Sequence, residues 1–195
     1  YGVYSTRGIL SSRKFKEVHV FMTAKIPTLD LTRNYGRIKD EILEALNSVL
    51  ESQHFILGPD VAAFEKECES YLGNVSAIGC ASGTDALLLA LMALDIGEGD
   101  EVITTPYSFF ATASCITRLG AVPVFADVDP GTFNIDPVKA LEAITPRTKA
   151  FLPVHIFGQM TPLETVYEEF SARGVAVVED AAQAFGAWRK EGNHI

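Results

Sequence analysis

The sequence predicts an α/β fold in which a mostly parallel sheet is flanked by helices, and three observations lead there. Short runs that are apolar throughout alternate with amphipathic stretches from about residue 73 to residue 186. Strands covered on both faces read as continuous apolar runs, and the stretches between them supply the covering helices. The 195 residues, 48% of them hydrophobic, suffice for a sizeable core. No internal repeat, low-complexity tract or linker breaks 73–186, so the alternation belongs to one domain.

Charge sets residues 1–25 apart. They hold five of the 16 Lys and Arg but one of the 25 Asp and Glu, whereas the whole chain carries a net charge of -9. The first residue is Tyr1 and the first methionine Met22, so 1–25 reads as an N-terminal extension outside the fold, with 1–21 as upstream translation or a tag-like addition. Ile38, Ile42, Leu43, Leu46, Val49 and Leu50 recur at three- and four-residue spacing, which predicts a helix over 36–52 with one buried stripe. Gly58-Pro59 stops what precedes it. Val61, Phe64, Cys68, Tyr71 and Leu72 mark a second helix that ends at Gly73. Residues 26–72 therefore form an N-terminal helical segment packed on 73–195, which reads as part of a large domain. Strands are expected at 76–80, 101–105, 122–128, 149–154 and 175–179. Helices are expected at about 84–94, 110–119, 137–144 and 162–173.

Composition removes several function classes. An acidic chain disfavours a nucleic-acid backbone as partner and offers no basic patch to a membrane surface. Cys68, Cys80 and Cys115 are odd in number and widely spaced, which suits neither a disulfide framework nor a metal-ligand cluster. They read as three buried thiols in a reducing compartment. The apolar stretches fall far short of the roughly 20 residues that span a bilayer, and 18–22 is too short for a signal-peptide core and is broken by His19. The expectation is a soluble cytoplasmic protein.

Open parallel sheets bind ligands beyond the carboxyl ends of their strands, so the strand-to-helix junctions carry the functional information. At Cys80-Ala81-Ser82-Gly83-Thr84-Asp85, a small-residue turn opens a helix, and its amides and hydroxyls suit an anion. Taken alone, it reads better as an ordinary capped helix start. It is not a Walker A loop, because no Gly-Lys-Ser/Thr follows. At Thr105-Pro106-Tyr107-Ser108-Phe109-Phe110-Ala111-Thr112, adjacent aromatics follow a strand and could stack on a planar ring, although such residues are more often core. His155 follows the strand 149–154 and is a candidate for substrate contact. A lone His there is most often structural. Glu179-Asp180-Ala181-Ala182-Gln183 ends a very apolar strand with two acids. A carboxylate at the low-dielectric end of a sheet needs a cationic or hydrogen-bonding partner, and a protonated heterocyclic nitrogen is one. Asp180 as a helix N-cap is the plain alternative, but it leaves Glu179 and Gln183 unexplained. Anion cradle, aromatic platform and terminal carboxylate together match what pyridoxal 5'-phosphate requires at its phosphate, ring face and pyridinium nitrogen.

With those residues in view, the chain resembles the sugar aminotransferase family named for the DegT, DnrJ, EryC and StrS proteins, pyridoxal-phosphate enzymes of fold type I. The resemblance spans roughly 26–187 and rests on Phe55-Ile56-Leu57-Gly58-Pro59, Ala81-Ser82-Gly83-Thr84-Asp85-Ala86-Leu87, Gly99-Asp100-Glu101-Val102-Ile103, Phe109-Phe110-Ala111-Thr112-Ala113, Pro123-Val124-Phe125-Ala126-Asp127-Val128-Asp129-Pro130, Ile144-Thr145-Pro146-Arg147-Thr148-Lys149-Ala150, Pro153-Val154-His155 and Glu179-Asp180-Ala181-Ala182-Gln183-Ala184. It implies that Gly83 and Thr84 contact the phosphate, Phe109 covers the pyridine ring, Asp180 partners the ring nitrogen and Gln183 meets the ring hydroxyl. It also implies a lysine that anchors the cofactor some tens of residues past Asp180. None of the eight lysines has that context, and Lys190 reads as a solvated surface residue, so no catalytic residue is assigned within the chain. The chain accordingly reads as the N-terminal part of a longer enzyme. By resemblance, that enzyme is a homodimer that aminates a keto group of a nucleotide-linked sugar, with glutamate as amino donor, in surface-polysaccharide biosynthesis. A 3-keto sugar is the expected acceptor. Two alternatives stay open: a sugar 3-dehydratase with histidine at the anchor position, and a non-catalytic regulatory or binding protein on the same scaffold.

Overall fold

A computed structural model of the chain describes residues 27–73 and 75–188. The expected extension over 1–25 and the expected surface position of Lys190 lie outside the described residues. The chain divides into two compact units, Tyr1–Ile56 and Leu57–Ile195.

The described part of the first unit is one long helix, α1 (Thr32–Ser52). Asp30 Oδ1 accepts from the Thr32 amide at 3.0 Å, satisfying a donor that the helix cannot use. Those hydrogen bonds from Thr32, the hydroxyl first, hold the Asp30 carboxyl below its ordinary range. Gln53 ends the helix in the left-handed region with its N–H on Val49 O. The expected helix is present, but the expected buried stripe is not, because no residue of α1 is buried. Periodicity shows which face favours burial and is silent on what would cover it.

The second unit begins with α2 (Pro59–Leu72), started by Gly58 and Pro59 and stopped at Gly73. The apolar run 76–80 corrects an expectation: it forms no strand. Its Ala77 and Gly79 amides donate instead to Glu69 Oε1 at 3.1 Å and Glu65 Oε1 at 2.6 Å on α2. A strand exists only where another strand accepts its ladder, and no strand among the described residues does so here. The alternation then follows as α3 (Gly83–Ala93), β1 (Glu101–Thr104), α4 (Phe110–Arg118), β2 (Val122–Phe125), α5 (Pro137–Glu142), β3 (Thr148–Leu152), α6 (Tyr167–Ala172) and β4 (Ala176–Val177).

The four strands make one parallel sheet in the order β2-β1-β3-β4, with Ile103 opposite Val124 and Phe151, and Phe151 opposite Val177. Pro123 sits in β2, at the edge, where a missing amide costs least. Alternation splits the sheet's residues between two cores. Val102, Ala150 and Leu152 pack with Leu87 and Leu91 of α3 and Cys115 and Ile116 of α4. Ile103 and Phe151 face the other way, toward Ala140 of α5 and Phe170 of α6. The predicted helix-flanked parallel sheet is therefore the observed architecture. The thiols depart from expectation: Cys115 is buried, Cys68 half-buried and Cys80 exposed. No helix among the described residues is long and apolar enough to cross a membrane.

Candidate functional site

Beyond the carboxyl ends of β1 and β3, against the N-terminus of α3, lies an open cavity of ≈ 480 Å³. Gly83, Thr84, Phe109, His155, Asp180 and Gln183 all line it. Six residues that the sequence scatters over a hundred positions thus share one wall: Phe109, His155, Asp180 and Gln183 follow strands that all end on this side, and the N-terminus of α3 brings Gly83 and Thr84 to them.

Gly83 and Thr84 occupy the first turn of α3. Ser82 caps that turn: its Oγ accepts from the Asp85 amide at 3.1 Å and donates to Asp85 Oδ2 at 2.9 Å. The cap serves Asp85 and leaves the Gly83 and Thr84 amides, which the helical ladder cannot use, pointing out of the positive end of the helix. Gly83 has no backbone need to be glycine, since its φ is not in the left-handed region, and a Cβ built on it meets nothing within 4 Å. Packing does not demand glycine here; the space beside it is part of the cavity. Behind this turn the buried Cys115 Sγ donates to Thr84 O at 3.2 Å. Burial pushes the Cys115 thiol above its ordinary range, so it serves as packing and a weak donor, without nucleophilic character.

Phe109 precedes α4 and leaves 77% of its surface exposed, so it is not core. Its neighbour Ser108 shares a 2.8 Å hydrogen bond with Thr112, and this hydroxyl pair also lines the cavity. The motif around Phe109 contained both hydroxyls without showing that the turn entering α4 would bring Ser108, ahead of the helix, onto Thr112 in its first turn.

Asp180 extends the β4 edge. Its amide donates to Pro153 O at 2.9 Å, and its carbonyl accepts from the His155 amide at 3.0 Å, a parallel bridge that carries the ladder past β4. Its Oδ1 accepts from the Ala182 amide at 3.1 Å, and among the described residues none of the ion pairs involves it. Among the described residues, this carboxylate therefore lines a largely apolar cavity without an ion-pair partner. His155 is fully buried, with Nδ1 3.0 Å from the Thr161 amide and Nε2 2.8 Å from Glu179 Oε2. Sequence reasoning singled out His155 and Asp180 but missed the link to Glu179. The signal was the Glu-Asp pair itself, whose side chains a strand sends to opposite faces.

The sequence pattern of the DegT/DnrJ/EryC1/StrS aminotransferase family matches residues 36–194. The chain is 48% identical over 162 residues to a protein of Geobacillus stearothermophilus named pleiotropic regulatory protein, covering 83% of this chain and 44% of that one. It is 45% identical over 162 residues to the UDP-2-acetamido-2-deoxy-3-oxo-D-glucuronate aminotransferase of Pseudomonas aeruginosa, covering 83% of this chain and 45% of that one. Among solved structures, it superposes with a TM-score of 0.81 on NtdA of Bacillus subtilis with bound cofactor PMP, at 37% identity, covering 87% of this chain and 39% of that one. The chain spans less than half the length of each of these relatives.

Proposed function

We propose the function from one premise: the chain belongs to the DegT/DnrJ/EryC1/StrS aminotransferase family. Its cavity takes pyridoxal 5'-phosphate, and the protein moves an amino group from an amino acid, glutamate, to a keto group of a nucleotide-linked sugar. Residues 73–195 supply part of the cofactor-binding domain. The observation that carries this reading is Asp180, a carboxylate lining a cavity of mainly apolar surface with no ion pair among the described residues. This half-buried carboxylate has room beside it for a cationic partner, and a protonated ring nitrogen would supply the counter-charge. The residues present fit the rest of the group. Gly83 and Thr84 offer amides and a hydroxyl to its phosphate, with open space where a Cβ would stand. The exposed face of Phe109 covers the ring and keeps water from it. Gln183 is left to meet the ring hydroxyl.

When bound, the cofactor supplies a sink for the electrons released as a substrate C–H bond breaks. Asp180 strengthens that sink by holding the proton on the ring nitrogen. The donor amides of the α3 turn fix the phosphate, so the ring pivots about neither end. We place the enzyme in the cytoplasm as a homodimer, in polysaccharide biosynthesis. The Pseudomonas relative's name, which specifies a UDP-linked keto sugar, supports the substrate class.

The test is a titration of pyridoxal 5'-phosphate into the protein, followed by absorbance, with Asp180→Asn beside the wild type. The Asn oxygen can still accept from the Ala182 amide, so the fold should persist. Cofactor retention should fall, and turnover in the full-length enzyme should drop by about 10² or more, the scale of losing a charge-stabilising group in a dry site. Wild-type retention in Asp180→Asn would reduce Asp180 to a turn residue and favour a binding or regulatory protein on this scaffold.

A further inference from the structure

We infer that His155 is a positioning residue: its neutral ring, locked between the Thr161 amide and Glu179, steadies the backbone amide by which His155 holds Asp180, the carboxylate presented to a cationic ring nitrogen. The inference rests on the reading of the cavity proposed above and adds a role for two residues that the cofactor itself need not touch.

The assignment follows from donors and acceptors. A backbone N–H can only donate, so Nδ1, 3.0 Å from the Thr161 amide, is the acceptor and carries no proton. The ring proton therefore sits on Nε2 and is donated to Glu179 Oε2 at 2.8 Å. Protonating Nδ1 would set two donors against each other at a fully buried position. His155 thus cannot become the missing counter-charge of Asp180, and with both nitrogens engaged it offers the cavity only ring carbons.

The same residue grips Asp180 through the main chain, since the His155 amide donates to Asp180 O at 3.0 Å. One side chain and one amide of His155 therefore fix two successive acids. Residues 179 and 180 leave the strand on opposite faces, and Asp180 lines the cavity whereas Glu179 does not. Without Glu179 on Nε2 the ring is held at Nδ1 alone, and the His155 amide that fixes Asp180 loses that support. The lock steadies Asp180 without adding a positive charge of its own.

Two measurements test this on the full-length protein. Nitrogen-15 NMR of the histidine rings should show His155 with a pyridine-type Nδ1 and a pyrrole-type Nε2, unchanged when pyridoxal 5'-phosphate is added. Cofactor dissociation constants, with the shift of nitrogen-15 in the cofactor ring, are then compared across variants. Glu179→Gln still accepts from Nε2 and should stay within about threefold of wild type. Glu179→Ala should weaken binding about tenfold and lower the protonated share of the ring nitrogen. His155→Asn, too short to reach Glu179, should match Glu179→Ala; if it does not fold, the two Glu179 variants decide alone. A proton on Nδ1, wild-type behaviour of Glu179→Ala, or a Glu179→Gln as weak as Glu179→Ala would each overturn the inference. A wild-type protein that binds no cofactor at all overturns the cavity reading instead, and the unliganded NMR spectrum tells the two failures apart.

Discussion

Replacing Gly83 by alanine should move stability and cofactor affinity in opposite directions. In the cofactor-free protein the new methyl meets nothing within 4 Å and the φ is one that alanine adopts freely, so no strain or clash arises. Alanine also loses less backbone entropy than glycine on entering the first turn of α3, a gain of about 0.4–1 kcal/mol. For a chain of this size that corresponds to a melting temperature higher by about 1–4 °C. With cofactor present, the methyl stands beside the Gly83 and Thr84 amides where a phosphate must approach. Losing one hydrogen bond to a charged group costs about 1.5–3 kcal/mol, or roughly 10- to 100-fold in dissociation constant. Differential scanning calorimetry without cofactor, beside a fluorescence titration with pyridoxal 5'-phosphate, reads both signs on one preparation. A lower melting temperature with unchanged affinity would refute the reasoning and make this turn an ordinary helix start.

Gly186 is the opposite case, with φ +78° and a Cβ position 2.7 Å from Tyr71 Oη, whose ring stacks on Phe185 at 5.7 Å. Gly186→Ala should cost about 1–3 kcal/mol in urea unfolding, and Tyr71→Ala in the same chain should remove the steric part but leave about 1 kcal/mol of backbone strain; strictly additive effects would show that the two residues do not meet. Glu101, buried at the start of β1, accepts from the Thr145 hydroxyl and from the Arg147 guanidinium, and these bonds, Thr145 first, hold its carboxyl below the ordinary value of 4.5. Because the folded-state value is the depressed one, the stabilisation is complete well above pH 4.5 and is lost as pH falls through the folded value. Thermal melts across that range should therefore show a shallower acid loss for Glu101→Gln than for the wild type, and parallel curves would remove Glu101 from the acid response.

Much of the fold was legible in local pattern. Pro59 and Gly73 bracket α2, Asp136 caps α5 ahead of Pro137, and apolar runs mark all four strands because strands with both faces covered leave no polar alternation. Six of the cavity residues were legible as well, since glycine and threonine at a helix start and an aromatic, a histidine, an acid and an amide beyond strand ends carry their chemistry in their type. The failures share one cause. The apolar faces of 36–52 and 76–80 were read as buried, yet α1 has no buried residue and Ile78 is 85% exposed. A pattern records what a segment could bury, and the partner lies elsewhere in the chain or outside it.

By itself, then, the sequence determined the order of elements apart from the strand expected at 76–80, the faces they prefer to bury, and the residue types at each junction. Only the tertiary structure decided that β3 lies between β1 and β4, which brings His155 beside Asp180 although 24 residues separate it from Glu179. It alone decided the tautomer of His155, which depends on an amide six residues away and an acid on the next strand's extension. The physical reason is that side-chain identity is local, whereas hydrogen-bond direction and the absence of a counter-charge are properties of neighbours that meet only when the sheet assembles.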